Sequence, residues 1–275
     1  MDFYEKLITT KNSPIVMGIV NITPDSFYDG GKHKNTNAYI KYIQKIIKEG
    51  ADIIDLGACS SRPGSTPISL KEEEKRLLPV LEKTKEKFPD IPISIDTYRY
   101  QIAEKAISYG AQLINDIYVE KDKQKMFSVI AKHNIPYVLM HMQGNPKNMQ
   151  NKIHYTDFKN EIMMFFKNNI KKLNQNGVSN IILDPGFGFG KTLNQNYNLI
   201  NMISEIKKLN YPILTGLSRK SMISQGLQTA SPNALTGTIA ANTICLMHGA
   251  SIIRVHDVQA AKETIKIFNL TQINK

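Results

Sequence analysis

A repeated cycle of strand, acid and helix constrains the fold of this chain more than any other feature. Short apolar runs end in a polar residue, and each is followed by a longer segment with helical spacing. The phrases G-A-D-I-I-D, G-A-Q-L-I-N-D and G-V-S-N-I-I-L-D repeat a helix cap, a strand and an acid in the same order. Regular alternation of strands and helices implies a parallel sheet, whose strands are buried on both faces.

We count eight such units, from a first strand at 15–22 to a last helix that begins at Val258. Eight units predict closure into a (β/α)8 TIM barrel, because the alternative, a doubly wound open sheet, usually has fewer strands. The length of 275 residues is within the usual range for one barrel. No linker divides the chain, so we predict a single domain over 1–275 with its core at about 14–269.

Composition and charge exclude several classes of protein. No apolar run is long enough for a transmembrane helix, and the first residues lack the pattern of a signal peptide. The two cysteines form neither a disulfide framework nor a metal-ligand spacing, which is typical of a reducing cytoplasm. The formal charge of +11 reflects either surface lysines or an anionic ligand, and no nucleic-acid motif accompanies it. We therefore expect a cytoplasmic protein that binds neither membranes nor nucleic acid.

The segment I-I-L-D-P-G-F-G-F-G-K-T, residues 181–192, contains the most informative turn. Pro185 ends the strand at Asp184, and three glycines let the backbone turn sharply or approach a ligand closely. The segment is not a phosphate-binding P-loop, because Pro185 replaces the first required glycine. It is not a dinucleotide-binding turn either, because Lys191 replaces the last one. A plain strand-to-helix turn is the alternative explanation of the glycines.

Polar residues stand at the C-terminal ends of the predicted strands, where a barrel places its active site. These residues are Asn21, Asp96, Asn115, His141, Asp184, Ser218, Arg254 and His256. Taken singly, Asp96 or Asp184 would suit a helix cap, and Asn115 would suit a bond to a loop. Their convergence on one rim instead predicts a shared site.

Two loops and the last strand carry groups that bind anions. The loop 60–64 offers hydroxyls and the guanidinium of Arg62, and the loop 218–221 leads to a possible helix start with free N–H groups. Arg254 and His256 alternate along the last strand, so both side chains face the same way. Solvated basic loops are the alternative explanation, whereas an inward Arg and His would suit a phosphate group.

Seven motifs, in their order along the chain, resemble those of the dihydropteroate synthase family. They are M-G-I-V-N-I-T-P-D-S-F-Y-D-G-G, S-S-R-P-G, S-I-D-T, I-N-D-I, D-P-G-F-G-F-G-K, G-L-S-R-K-S and R-V-H-D, within residues 17–257. The resemblance implies a transferase of folate biosynthesis that works as a homodimer. It would condense 6-hydroxymethyl-7,8-dihydropterin diphosphate with 4-aminobenzoate to give 7,8-dihydropteroate and diphosphate, with Mg²⁺ carried by the substrate diphosphate.

The resemblance also implies a role for each matching residue. The pterin would contact Asp96, Asn115, Asp184 and Lys220; the aminobenzoate would contact Ser61, Arg62, Phe189, Lys220 and Ser221; and the diphosphate would contact Asn21, Arg62, Arg254 and His256. Asn21 would also bind the Mg²⁺, and catalysis would rest on Asp96, Lys220, Arg254 and His256. The pterin C–O bond is expected to break first, giving a delocalised cation, and no general base is assigned.

The chain departs from the family in one loop, where Cys59 and Ser61 replace a glutamate and a threonine. This loop would touch aminobenzoate, so the change bears on the affinity for it and for sulfonamide mimics. We expect Cys59 to fill a small apolar space, and the loops 23–37 and 59–69 to be mobile and to close over ligand. Two rival functions are a corrinoid-dependent methyl transfer and a catalytically silent paralogue that binds pterin.

The predicted helix after 236 has two possible packing partners. It contains Gly237, Ala240 and Ala241 at a spacing that permits close helix packing. This face would meet a second subunit if the protein is the homodimer that the resemblance implies. Packing against the barrel of the same chain explains the spacing equally well.

Overall fold

The computed structural model describes residues 4–5, 13–23, 32–59, 67–118, 123–144, 149 and 153–272. Within them, eight strands alternate with nine α-helices. The strands are β1 (Ile15–Asn21), β2 (Ile53–Gly57), β3 (Ile93–Asp96), β4 (Leu113–Asp116), β5 (Tyr137–Met140), β6 (Ile181–Asp184), β7 (Leu214–Thr215) and β8 (Ile252–Val255). The helices are α1 (Lys32–Lys48), α2 (Leu70–Lys87), α3 (Tyr100–Ser108), α4 (Lys123–His133), α5 (Phe158–Gln175), α6 (Leu193–Lys207), α7 (Ser221–Gly226), α8 (Leu235–Met247) and α9 (Val258–Leu270).

Hydrogen bonds close the sheet into a barrel. The strands pair in parallel in the order β6-β5-β4-β3-β2-β1-β8-β7. The two ends of this order meet at a parallel bridge between Leu183 and Ile213, where the Leu183 N–H donates to the Pro212 carbonyl at 2.9 Å. Because β6 thus joins β7, the fold is the predicted (β/α)8 barrel and not an open sheet.

Successive side chains of each strand point alternately outward and inward, which separates two cores. The outward residues pack against the helices. The inward cluster fills the lower barrel with Met17, Ile53, Leu113, Val138, Ile182, Leu214 and Ile252. Tyr4 joins this cluster, and its hydroxyl donates to the Ile181 carbonyl at 2.9 Å. The floor of the barrel is therefore packed with apolar side chains.

The next inward position is polar on four of these seven strands. Side chains two residues apart on a strand share a face, so the position after each floor residue lies closer to the C-terminal rim. On β2, β4, β6 and β8 these positions hold Asp55, Asn115, Asp184 and Arg254. The alternation of the strands therefore places a polar layer directly above the apolar floor.

Helix α1 begins earlier than the sequence predicted. Residues 32–37 belong to the predicted loop 23–37 and are helical. The apolar spacing that predicts this helix starts only at Tyr39, yet extending a helix that is already formed adds one backbone hydrogen bond per residue. Residues 24–31 and 60–66 of the two predicted loops lie outside the described part of the chain, so their mobility and closure remain predictions.

The length and hydrophobicity of the helices can be compared with what a membrane-spanning helix requires. In the described part of the chain, none of them combines the length and the hydrophobicity that spanning a bilayer requires.

Candidate active site

Asp55 is the centre of a buried polar network at the C-terminal rim. Its Oδ2 atom accepts hydrogen bonds from Arg254 Nε at 2.6 Å and from Asn115 Nδ2 at 3.2 Å. The Nη2 of the same Arg254 donates to Asp96 Oδ2 at 2.8 Å. One guanidinium therefore joins residues from β2, β3, β4 and β8, and the predicted convergence of Asp96, Asn115 and Arg254 is observed.

Two oxygen atoms of this network have no partner among the described residues. They are Oδ1 of Asp55 and Oδ1 of Asn115, and both are buried. Buried polar atoms are almost always hydrogen-bonded, so unsatisfied acceptors in a network that reaches a cavity wall through Arg254 indicate a site for a ligand with N–H donors.

Asp55 was not predicted from the sequence. The expectation was that functional residues end their strands, but β2 continues past Asp55 to Gly57. Two signals were available: Asp55 is the acid of the repeated phrase G-A-D-I-I-D, and it lies two positions after the inward-facing Ile53.

The helix-capping explanation of Asp96 and Asp184 is wrong. The N-cap of α3 is Arg99 and that of α6 is Thr192, whose side chain accepts from the N–H of Gln195. Asp184 Oδ1 instead accepts from the Gly186 N–H at 2.7 Å, inside the turn that follows β6. Both carboxylates therefore serve the rim of the barrel.

The glycine-rich turn is shaped by contacts with a neighbouring backbone. Gly186 has a φ of +71°, and a Cβ there would lie 1.9 Å from the His141 carbonyl. Gly190 has a φ of +60°, and its Cβ would lie 2.5 Å from the Gln143 carbonyl. A side chain fits neither place, so these two glycines serve the packing of the turn against the segment after β5.

Lys191 holds the same turn from within. Its buried ammonium donates to the carbonyls of Gly186 at 2.8 Å, Phe189 at 3.0 Å and His141 at 3.3 Å. Burial lowers the pKa of Lys191 well below the usual value, and Asp184 opposes this shift. The sequence motif contained this lysine but gave no indication of its three acceptors.

Lys220 lies above the glycine-rich turn, as the N-cap residue of α7. Its Nζ donates to the Phe187 carbonyl at 2.5 Å and stands 4.6 Å from the centre of the Phe189 ring. Burial lowers the pKa of Lys220 to about 8, and Asp184 opposes this shift. The flat ring and the ammonium together form one wall of the site.

The carboxylates at the rim have perturbed ionisation. Burial raises the pKa of Asp96 to about 7, and Arg254 opposes this shift. Burial also raises the pKa of Asp184, opposed first by Lys220 and then by the Gly186 N–H. Acids and a lysine with opposite shifts, in one cleft, are typical of functional sites.

A cavity of 1420 Å³ opens over this network. The predicted residues in its wall are Asn21, Phe189, Ser218, Lys220, Ser221, Arg254 and His256. Asp96, Asn115 and Asp184 are buried near Arg254 and Lys220. His141 is not in the wall: its ring packs edge-on against Phe165, with centroids 4.8 Å apart. Ser61 and Arg62 lie outside the described residues.

This architecture has counterparts among known proteins. Residues 17–256 match the family described as pterin binding enzyme. The dihydropteroate synthase of Escherichia coli strain K12 is 41% identical over 260 residues, which cover 94% of this chain and 92% of the relative. The chain belongs to the dihydropteroate synthase family.

Solved structures of dihydropteroate synthases share the fold. The crystal structure from Clostridium difficile, determined in the presence of pteroic acid, has a TM-score of 0.88 and 39% identity, covering 94% of this chain and 97% of that one. The structure from Xanthomonas albilineans with 4-aminobenzoic acid has a TM-score of 0.88 and 34% identity, covering 95% of this chain and 94% of that one. The predicted resemblance and the predicted fold class are confirmed.

This dihydropteroate synthase family member carries a neutral thiol at Cys59, one of the two positions where its sequence was expected to depart from the family motif. Cys59 is a half-buried free thiol. Burial raises the pKa of Cys59, which a hydrogen bond with the Ile68 backbone opposes. The thiol is therefore uncharged at neutral pH.

Asn21 is the residue of the site that the family motifs imply as a ligand of Mg²⁺. No group of three or more His, Cys, Asp or Glu side chains in the described residues is placed to hold a metal. Asn21 is exposed at the end of β1 and offers one amide oxygen to the cavity. Mg²⁺ usually keeps several waters and combines one or two protein oxygens with substrate phosphates. Among the described residues, the one proposed ligand, Asn21, suits an ion that is shared with phosphate oxygens more than an ion held by protein alone.

Lys220 should titrate near pH 8. Its surroundings disfavour the ammonium, so we expect its side-chain NMR signal, in protein with labelled lysine, to have a midpoint near pH 8 and not at the usual 10.5. Lys220→Arg should remove this signal, whereas Lys132→Arg, on the exposed surface of α4, should keep it. Above the midpoint the positive charge is lost, so the affinity for a ligand that accepts a hydrogen bond from Lys220 should fall. A midpoint at 10.5 would show that the site does not perturb this lysine.

Proposed function

We propose that this protein condenses 6-hydroxymethyl-7,8-dihydropterin diphosphate with 4-aminobenzoate and releases diphosphate and 7,8-dihydropteroate. As a member of its family it is a transferase of folate biosynthesis. One observation supports the substrates most directly: a cavity with cationic side chains in its wall, of which Arg254 is bonded to a buried network that has unsatisfied acceptors. A flat heterocycle with N–H donors, joined to a polyanion, complements that arrangement.

The pterin would occupy the base of the cavity. Its amino-pyrimidine edge carries donors that suit the carboxylate of Asp184 and the free oxygens of Asp55 and Asn115. Asp96 would reach the nitrogens of the other ring, and the Lys220 ammonium would donate to the pterin carbonyl. Asp55 is the one residue in this set that the family motifs had not suggested.

The other two groups would occupy the outer cavity. The aminobenzoate ring would pack against Phe189, with its carboxylate near Lys220 and Ser221, the first residue of α7. The diphosphate would contact His256 and the Nη1 of Arg254, which has no partner among the described residues. Contacts from Ser61 and Arg62 remain predictions from the family motifs.

The reaction would begin with heterolysis of the C–O bond between the pterin methylene and the diphosphate. The bonding electrons leave with the diphosphate oxygen, whose charge Arg254 and His256 balance. The pterin cation is stabilised by the carboxylates that surround its ring. The neutral amine of aminobenzoate then forms the C–N bond and loses a proton to solvent, without a general base. Mg²⁺ held at Asn21 would supply further neutralisation of the leaving group.

Neither rival function requires all the residues that line this cavity. A corrinoid-dependent methyl transfer needs a pterin site but has no use for Lys220, Arg254 and His256 around a polyanion. A silent paralogue would bind pterin without turnover. Diphosphate release separates both rivals from the proposed reaction.

Lys220→Ala and Asp96→Ala should each lower turnover by about tenfold or more, the scale of lost electrostatic stabilisation. The assay is aminobenzoate-dependent release of diphosphate by purified protein with Mg²⁺, with Asp184→Ala as a further variant of the site. Lys132→Ala and Asp90→Ala remove the same groups from exposed positions and should leave turnover unchanged. Full activity in either site variant would contradict its role. Pterin binding by an inactive wild-type protein would indicate the silent paralogue.

Asn21→Ala should weaken the Mg²⁺-dependent part of diphosphate binding by about tenfold, because it removes the one protein oxygen proposed for the ion. Calorimetric titration with inorganic diphosphate, with and without Mg²⁺, measures this difference. Asn21→Asp keeps an oxygen ligand and should retain the effect of Mg²⁺. An equal effect of Mg²⁺ on wild type and Asn21→Ala would exclude Asn21 as a ligand.

A homodimer is supported by an exposed apolar face on α8 and α9, which pack together. Ile244 and Met247 are 46% and 57% exposed, and Ile267 and Leu270 are 63% and 58% exposed. Clustered apolar side chains of this size are typical of an interface. Gly237 serves contacts within the chain, because a Cβ there would lie 2.6 Å from the side chains of Ile223 in α7 and of Leu227, the residue after α7.

Free thiols at both cysteines support a cytoplasmic location.

Met247→Asp should convert a dimer to a monomer in analytical ultracentrifugation, because the carboxylate would be buried without a partner in the interface. Met164→Asp provides the matched control, since Met164 is 52% exposed on α5, and it should remain a dimer. A wild-type protein that sediments as a monomer at micromolar concentration would reject the homodimer.

A further inference from the structure

The turn that carries Lys220 has an unusual residue at its third position. The Lys220 N–H donates to the Leu217 carbonyl at 3.0 Å, which closes a four-residue turn. Arg219, the third residue of that turn, has a φ of +55°. Turns with positive φ at this position normally have Gly or Asn there, because other side chains are strained.

The side chain of Arg219 pairs with Asp257, which occupies the N-cap position of α9 but does not cap the helix with its side chain. Asp257 is the N-cap residue of α9, yet its side chain makes no cap hydrogen bond. Its two carboxylate oxygens instead accept from Arg219 Nε at 2.8 Å and Nη2 at 2.7 Å. Aspartate is among the preferred N-cap residues, because its side chain can accept a hydrogen bond from an N–H of the first turn. Asp257 forms the bidentate pair with Arg219 instead of this capping bond.

The local geometry around this pair is unfavourable, although the pair itself is well formed. The side chains of Arg219 and Asp257 are only 29% and 25% exposed, and a bidentate pair at this depth holds two segments together. Backbone strain and a missing cap both act against stability. Local strain that the surroundings maintain is characteristic of functional sites.

Further contacts join the same two segments and hold Arg219 in place. Ser218, the second residue of the turn, accepts from the His256 N–H at 3.1 Å. The Arg219 N–H donates to Thr238 Oγ1 at 3.1 Å, and the Arg219 carbonyl accepts from Ser231 Oγ at 2.8 Å. Two successive residues of the turn are therefore attached to the two residues that follow β8.

We propose that Arg219 and Asp257 are positioning residues, which fix the Lys220 wall of the cavity at a set distance from the Arg254 and His256 wall. The inference rests on the proposed function, in which Lys220 binds the pterin end of one substrate and the other two residues bind its diphosphate end. A substrate that spans both walls gains from their fixed separation, whereas a fragment that reaches only one wall does not.

The test removes the bridge and keeps the backbone. Glycine adopts a φ of +55° without strain, so Arg219→Gly preserves the turn. Calorimetry would compare the affinities for inorganic diphosphate, for 6-hydroxymethylpterin and for the intact pterin diphosphate. We expect each fragment to bind within about threefold of wild type and the intact substrate to bind about tenfold or more weakly, with a similar loss in kcat.

Three further variants make the comparison specific. Asp257→Asn should reproduce the loss, and the double variant should lose no more than either single one, because both changes break the same bridge. Lys262→Met breaks a different ion pair of α9, the one that Lys262 makes with Asp52 at 3.1 Å, and should leave the affinity for the intact substrate unchanged. Asp257→Asn also provides the test if Arg219→Gly does not fold.

The outcomes separate the two proposals. Weaker binding of inorganic diphosphate to Arg219→Gly would make Arg219 a direct ligand of the anion and overturn the positioning role. Unchanged affinity for the intact substrate, or additive losses in the double variant, would overturn it as well. A wild-type protein that binds all three ligands but releases no diphosphate with aminobenzoate would reject the proposed reaction alone, because the binding comparison needs no turnover.

Discussion

The buried guanidinium of Arg254 is the interaction on which the site depends. It lies between Asp55 and Asp96 on strands that are far apart in the sequence, and both contacts are shorter than 3 Å. Two carboxylates this deep in a barrel would be very unfavourable without a cation. Burial raises the pKa of Asp96, and Arg254, which also pairs with Asp55, opposes this shift only in part. The same imbalance favours a ligand that develops positive charge.

The opposite side of the cavity is built by backbone geometry and not by charge pairs. Lys191 binds three carbonyls, and two glycines let the turn lie directly against the segment after β5. This packing determines where Phe187 and Phe189 lie, and both contact Lys220. Lys191, which does not line the cavity, thus helps to set where the Lys220 ammonium lies. The turn and the charge network are separate constructions that meet at the cavity.

Much of the fold was predictable because it follows from periodicity. Eight apolar runs with intervening helical spacing specify a closed parallel barrel, and a barrel brings the ends of all its strands to one rim. The convergence of Asp96, Asn115 and Arg254 needed no other information. His141 showed the limit of this rule, since it ends a strand but packs against Phe165.

Other features depend on partners that no local pattern reveals. Asp55 lies inside its strand, and its importance appears only when Arg254, 199 residues later, is placed beside it. The pairing of Arg219 with Asp257 spans 38 residues and involves a capping residue whose local pattern indicates a different contact. The early start of α1 was hidden because the apolar spacing that predicts this helix starts only at Tyr39.

The apolar floor closes the barrel below the polar residues, so among the described residues the cavity opens only toward the C-terminal rim. Tyr4 and the inward ring of aliphatic side chains seal the lower barrel in the described part of the chain. A molecule that reaches Asn115 must arrive through the mouth, past Phe189 and Ser221, and must leave the same way. Under the proposed reaction, the heterocycle would have to bind before the second substrate covers it, and the joined product would leave along the path by which its two halves entered.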